Sequence, residues 1–240
     1  MHRSLVLGII AASVAAAGCT EARSESAGPI VDRDYEVGEF DRIDLGGAYD
    51  VTVRTGAAPS VHARGGQNVL DRLQVEAKNG TLIIRPDKRD GWFNRSSNGK
   101  VAVTVTVPSL RGASLAGAGD IQIDRIAGDS FEGSIAGAGD LRVETIEVGS
   151  VKFDIAGSGS VHVAKGRARN AEYGITGAGD IHANGLTSET ASVSIAGAGG
   201  VNASATKTAQ VDIVGAGDVN LAGGAKCTVS KVGAGDVHCS

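Results

Sequence analysis

The residues of this chain with the most chemistry to offer recur in columns. Three places after a repeating glycine stand Asp120, Asp140, Ser160, Asp180, Gly200, Asp218 and Asp236. Two places further on stand Gln122, Arg142, His162, His182, Asn202, Asn220 and His238. Spaced carboxylates in a glycine-rich repeat raise the possibility of a calcium ladder. Such ladders repeat about every nine residues, so that turns on both sides supply oxygens. Here one such turn falls in each 18–20 residues, and Ser160 and Gly200 break the column. The Asp residues therefore read first as solvent-facing turn residues, with weak calcium binding as the alternative. His162 and His182 should be vertical neighbours with Asp180 beside them, but zinc or copper needs ligands converging on one point. A solvated polar ladder is the plainer reading, and no metal or cofactor is assigned.

Catalysis finds little support. Glycoside hydrolysis wants two carboxylates across a groove with sugar-stacking aromatics. In the repeat half the aromatics are Phe131, Phe153 and Tyr173, all at inward-facing offsets, and the Asp residues belong to turns. No nucleophile elbow or Ser-His-Asp signature stands out. The expectation is a protein that is not an enzyme and has no catalytic residues.

What positions these columns is an internal repeat. A branched apolar residue, a small residue and Gly-Ala-Gly-Asp, then apolar-polar-apolar, recur from Leu115, Ile135, Ile155, Ile175, Ile195, Ile213 and Lys231. The first glycines are Gly117, Gly137, Gly157, Gly177, Gly197, Gly215 and Gly233, spaced 20, 20, 20, 20, 18 and 18 residues apart. Hydrophobicity alternates with period two on both sides, a strand signal. Even offsets from the glycine face inward: Phe153, Tyr173, Val193, Val211 and Val229 four before it, Ile121 to Val237 four after it. One coil of a solenoid fits this period. Stacked at about 4.8 Å per coil, seven coils make a column about 34 Å tall. The fold expected is all-β: a right-handed, single-stranded parallel β-helix of about seven coils over residues 111–240. A less regular β region over 36–110 precedes it.

That N-terminal region alternates at Phe40–Leu45 and Tyr49–Arg54, carries a hairpin signal at Asn79-Gly80, and ends a strand at Val101–Pro108, without the short repeat. Residues 88–100 form a polar, turn-rich insertion containing Trp92 beside Phe93. An aromatic pair in such an insertion is a candidate ligand contact. The alternative is that Trp92 covers the open N-terminal end of the core.

Three cysteines complete the inventory. Cys227 and Cys239 lie six residues before and six after Gly233, both inward and both in the final coil. An exported chain favours their pairing. Closing a loop of about twelve residues is worth roughly 3 kcal/mol in the chain-entropy model, against the alternative of two buried thiols. The N-terminus supports export. Met1-His2-Arg3 is followed by an apolar run over Ser4–Ala17, too short to span a bilayer. Ala16-Ala17-Gly18-Cys19 resembles the lipobox of bacterial lipoproteins, which implies a signal over residues 1–18 and lipidation of Cys19. A plain secretory signal cut after Ala17 is the alternative. By the same resemblance, Thr20 in place of Asp points to the outer membrane. Residues 19–35 read as a polar tether.

The order of the motifs is itself distinctive. Phe-x-x-Ile, Val-x-Val, Asn-Gly-Thr-Leu-x-Ile and Val-x-Val-x-Val-Pro-x-Leu lead into tandem Gly-x-Gly-Asp/Ser repeats. Over residues 36–236 the chain resembles the "putative auto-transporter adhesin, head GIN domain" family. The resemblance implies an exported bacterial β-helix with no catalytic residues, often a lipoprotein. The partners expected are a membrane, through the lipid anchor, and a surface glycan, lipid or protein. A net charge of −4 leaves no basic footprint for nucleic acid.

Overall fold

The structure is a computed structural model, and it describes residues 27–87 and 100–240. The expected export signal, Cys19, Trp92 and Phe93 lie outside the described residues.

The fold is a parallel β-solenoid of about six coils, entered through irregular strands. Those strands are β1 (Ile30–Tyr35), β2 (Arg42–Gly47), β3 (Asp50–Thr55), β4 (Ser60–Gly66), β5 (Leu73–Lys78), β6 (Thr81–Pro86) and β7 (Ala102–Val107), with a one-turn helix α1 (Gln67–Leu70) after β4. Then come β8 (Gly112–Gly117), β9 (Asp120–Gly137), β10 (Asp140–Gly157), β11 (Ser160–Gly177), β12 (Asp180–Gly197) and β13 (Gly200–Gly215). The end is made by β14 (Asp218–Ala222), β15 (Lys226–Gly233) and β16 (Val237–Cys239). Each coil pairs in parallel with the next at the repeat spacing, as in Leu141 with Val161 and Ile155 with Ile175.

The stack is held at its bend. Each first glycine takes a positive φ, from +108° at Gly47 to +142° at Gly137. From Gly117 onward a Cβ there would fall on the carbonyl oxygen of the glycine one coil below, for example Gly157 onto Gly137. That oxygen is already taken: Ser158 N–H donates to Gly137 at 2.9 Å, and Ala178 N–H donates to Gly157 at 2.8 Å. Glycine is thus required both for its backbone angle and for close stacking.

One expectation is corrected here. The repeat does not begin at residue 111. Leu45-Gly46-Gly47-Ala48-Tyr49-Asp50 forms the same bend, with Leu45 over Leu115, Gly47 over Gly117 and Asp50 over Asp120. Tyr49 replaces the second glycine because no further glycine bend is stacked beyond it, and its ring lies buried against Gly47. A second correction concerns the tether. Its last residues form β1, paired antiparallel to β4, and Arg33 at an inward position donates to the Leu70 carbonyl at 2.7 Å.

The N-terminal end is closed by extending both faces of the solenoid. β3 continues through β7 to antiparallel β4 and β1, and β2 continues through β6 to antiparallel β5. The β5–β6 hairpin turns on Asn79 (φ 51°) and Gly80 (φ 76°), as its sequence predicts. Inside the coils, inward columns of Val, Ile, Leu and Ala are almost fully buried. Gly133 leaves the room into which Phe153 packs, and Phe131, Phe153 and Tyr173 follow one another with centroids 6.0 and 6.5 Å apart. The 18-residue spacing is absorbed within one stretch through two register shifts, one between Ala183 and Thr187 and one between Ser188 and Thr190. There the buried Ser188 hydroxyl donates to the Ser204 carbonyl at 2.9 Å. Val229, expected inside, is 47% exposed because no coil lies above it.

Candidate binding groove

The Asp column is absorbed by the fold. Oδ1 of Asp120, Asp180 and Asp218 accepts the backbone N–H of the equivalent residue one coil on, at 3.1, 2.9 and 2.9 Å. Oδ2 of Asp140 is held by Arg142 at 2.5 Å. His162 and His182 do stack, with centroids 4.8 Å apart. Burial, the neighbouring His182 and Arg142 together hold the His162 imidazole below its usual pKa. Among the described residues no group of three or more His, Cys, Asp or Glu converges as a metal would require.

The cysteines expected to pair are joined: a disulfide links Cys227 to Cys239, their Cα atoms 6.6 Å apart. Both are half-buried on the last coil, where Lys231 Nζ donates to the Gly235 carbonyl.

One recess among the described residues is a feature that sequence reasoning missed. A groove of about 870 Å³ runs along the solenoid axis. One wall is the column Ser130, Ser150, Asn170, Thr190, Thr208; the other is Glu132, Lys152, Glu172, Ser192, Gln210. Between them the floor narrows from Phe131 and Val151 to Ala171, Ala191 and Ala209. The side chains of the floor residues turn inward and are buried, so the recess is bounded by the outward-facing columns on either side. A signal existed in the sequence: seven and five places before the glycine, polar residues flank an inward residue in coil after coil.

The lining charges are largely matched within the protein. Arg42 and Arg111 stand at the N-terminal end, facing Glu132 at 3.4 Å and Asp41 at 2.6 Å. Lys152 sits between Glu172 at 2.7 Å and Asp154 at 3.5 Å. The Glu172 hydrogen bond, with help from Asp154, raises the Lys152 pKa, while burial raises that of Asp154 against the pull of Lys152. Thr190 donates to Asn170 at 2.9 Å across adjacent coils.

Register-locked coils carrying a groove on their outer face define a parallel β-solenoid. Within that class the chain belongs to the family described as "putative auto-transporter adhesin, head GIN domain", whose model matches residues 39–225. It is similar to the crystal structure of a "putative adhesin" from Bacteroides fragilis, with 25% identity and a TM-score of 0.83, covering 90% of this chain and 100% of that one. A "putative adhesin" from Parabacteroides distasonis shares the fold at 22% identity and a TM-score of 0.72, covering 90% and 99%. So does a "putative lipid binding protein" from the same species, at 23% and 0.70, covering 89% and 97%. Comparison with curated proteins gives no match.

Proposed function

We propose that this chain is an exported envelope lipoprotein, anchored through Cys19, whose solenoid is a non-catalytic binding or adhesion scaffold. The observation that carries the reading is the axial groove on a stack whose glycines and aspartates are already occupied in holding the coils together. A family described as adhesins supports it. One fold neighbour is described as lipid-binding, and the walls of this groove carry hydroxyls, amides and paired charges. Trp92 and Phe93 remain a second proposed contact. Trp92→Ala that loses surface binding with unchanged melting supports that contact; lost stability with unchanged binding supports a cap on the core.

Two measurements test the main reading. Fractionation of cells expressing Cys19→Ser should find the protein released from membranes, and continued detergent dependence refutes the anchor. Beads coated with the purified full chain should bind bacterial or host surfaces in a saturable way. Failure to bind either surface refutes the scaffold.

A further inference from the structure

Resting on the scaffold reading above, we infer that the axial groove binds a linear, uncharged polysaccharide lying parallel to the solenoid axis. Four observations exclude other occupants in turn.

The first is shape. From Ser130 through Ser150, Asn170, Thr190 and Thr208 to Lys226 the wall takes five coil-to-coil steps, about 24 Å at roughly 4.8 Å a step. A straight trough of that length suits an extended chain better than a compact ligand. The second is the main chain. An extended peptide binds a sheet by pairing with a free edge. Along the trough each inner rung is already paired on both sides, Ser150 with Ser130 and Asn170, and Asn170 with Thr190. Recognition therefore falls to side chains.

The third is the chemistry of those side chains. Asn170, Thr190, Ser192, Thr208 and Gln210 carry hydroxyl and amide groups that both donate and accept. Thr190 uses its donor on Asn170 and Gln210 one of its two on Asp212, which leaves their oxygens and the remaining N–H groups for a ligand. Sugar hydroxyls need the same double capacity, and a pyranose advances along a linear chain by about one rung. The fourth is charge. Three of the four lining cations, Arg42, Arg111 and Lys152, already face carboxylates. A polyanion would have to compete with those partners, whereas an uncharged chain would not.

The test is calorimetric titration of the full chain with uncharged β-1,4-linked gluco-, xylo- and manno-oligosaccharides of two to eight units, with polygalacturonate and an unstructured peptide as competitors. Binding to at least one series is expected to tighten with length up to about five or six units and then level off. Thr190→Arg, which fills the middle of the trough, should abolish it. The paired change Asn170→Ala with Gln210→Ala removes polar groups without adding bulk and should weaken binding about tenfold. Asn202→Arg, on the polar column outside the groove, should leave binding intact. If Thr190→Arg fails to fold, the paired alanine change decides. The inference is overturned by absence of binding to all three series, by affinity independent of length, by insensitivity to the groove variants, or by a preference for polygalacturonate or the peptide. Beads that hold surfaces while no oligosaccharide binds leave the scaffold standing and refute this inference alone. Beads that hold nothing refute the scaffold itself.

Discussion

Two kinds of single residue carry the fold in different ways. A bend glycine combines an unusual backbone angle with a carbonyl oxygen only 2.2 Å from where a Cβ would sit at Gly157, so Gly157→Ala meets both penalties at once. Gly128 has a similar φ, +142°, but open space around its Cβ position. Gly128→Ala should cost about 1–3 kcal/mol, the strain of the backbone alone. Gly157→Ala should cost clearly more, and urea midpoints of the two variants check the order. The second kind is His62, gripped by Asp34 at 2.7 Å and Asp32 at 3.3 Å. The Asp34 hydrogen bond, followed by that of Asp32, raises its pKa above the usual value of about 6.5. A raised folded pKa means the clasp on β1 is fully present below the unfolded pKa and is lost as pH climbs through the folded one. The melting temperature should therefore fall between pH 5.5 and pH 8 by more in the native chain than in His62→Gln. Equal falls refute the clasp.

Among the elements, the last coil stands apart. Its inner face has no neighbour beyond it, and Val229 is exposed there. The Cys227–Cys239 bridge and the Lys231 contact to Gly235 hold β15 and β16 to each other instead. Replacing both cysteines by serine should lower stability by roughly 3 kcal/mol. Amide exchange should quicken in β15 and β16 while β10–β12 stay protected. Two alkylatable thiols in the unreduced, denatured protein would contradict the bridge. At the opposite end β1 was misread as tether for an identifiable reason. Its alternation is interrupted by Arg33 at an inward position, where the guanidinium serves a backbone carbonyl of α1 and an apolar residue would be expected. Its partner β4 lies some thirty residues on and has no local signature.

At the scale of the whole molecule, the repeat made most of the architecture legible. Spacing and alternation predict the coils, the inward columns, the stacked histidines and the register. The Leu45–Asp50 bend escaped because Tyr49 stands where the motif has glycine, although Leu-Gly-Gly-Ala-Tyr-Asp otherwise matches. The groove escaped for a deeper reason. Motif reading favours positions that recur, and those positions are consumed by stacking. The groove is built from positions that vary in residue type and share only their polarity.

The shortened coil has a consequence for how such a molecule changes over generations. Two residues vanish within one stretch, yet Thr190 still meets Thr208 and Ser192 still meets Gln210. Insertions and deletions in that stretch are thus decoupled from the trough, while gain or loss of a whole coil alters its reach by one fixed step. The architecture behaves as a ruler with interchangeable graduations: its length is free to drift in quanta, and its pitch is not.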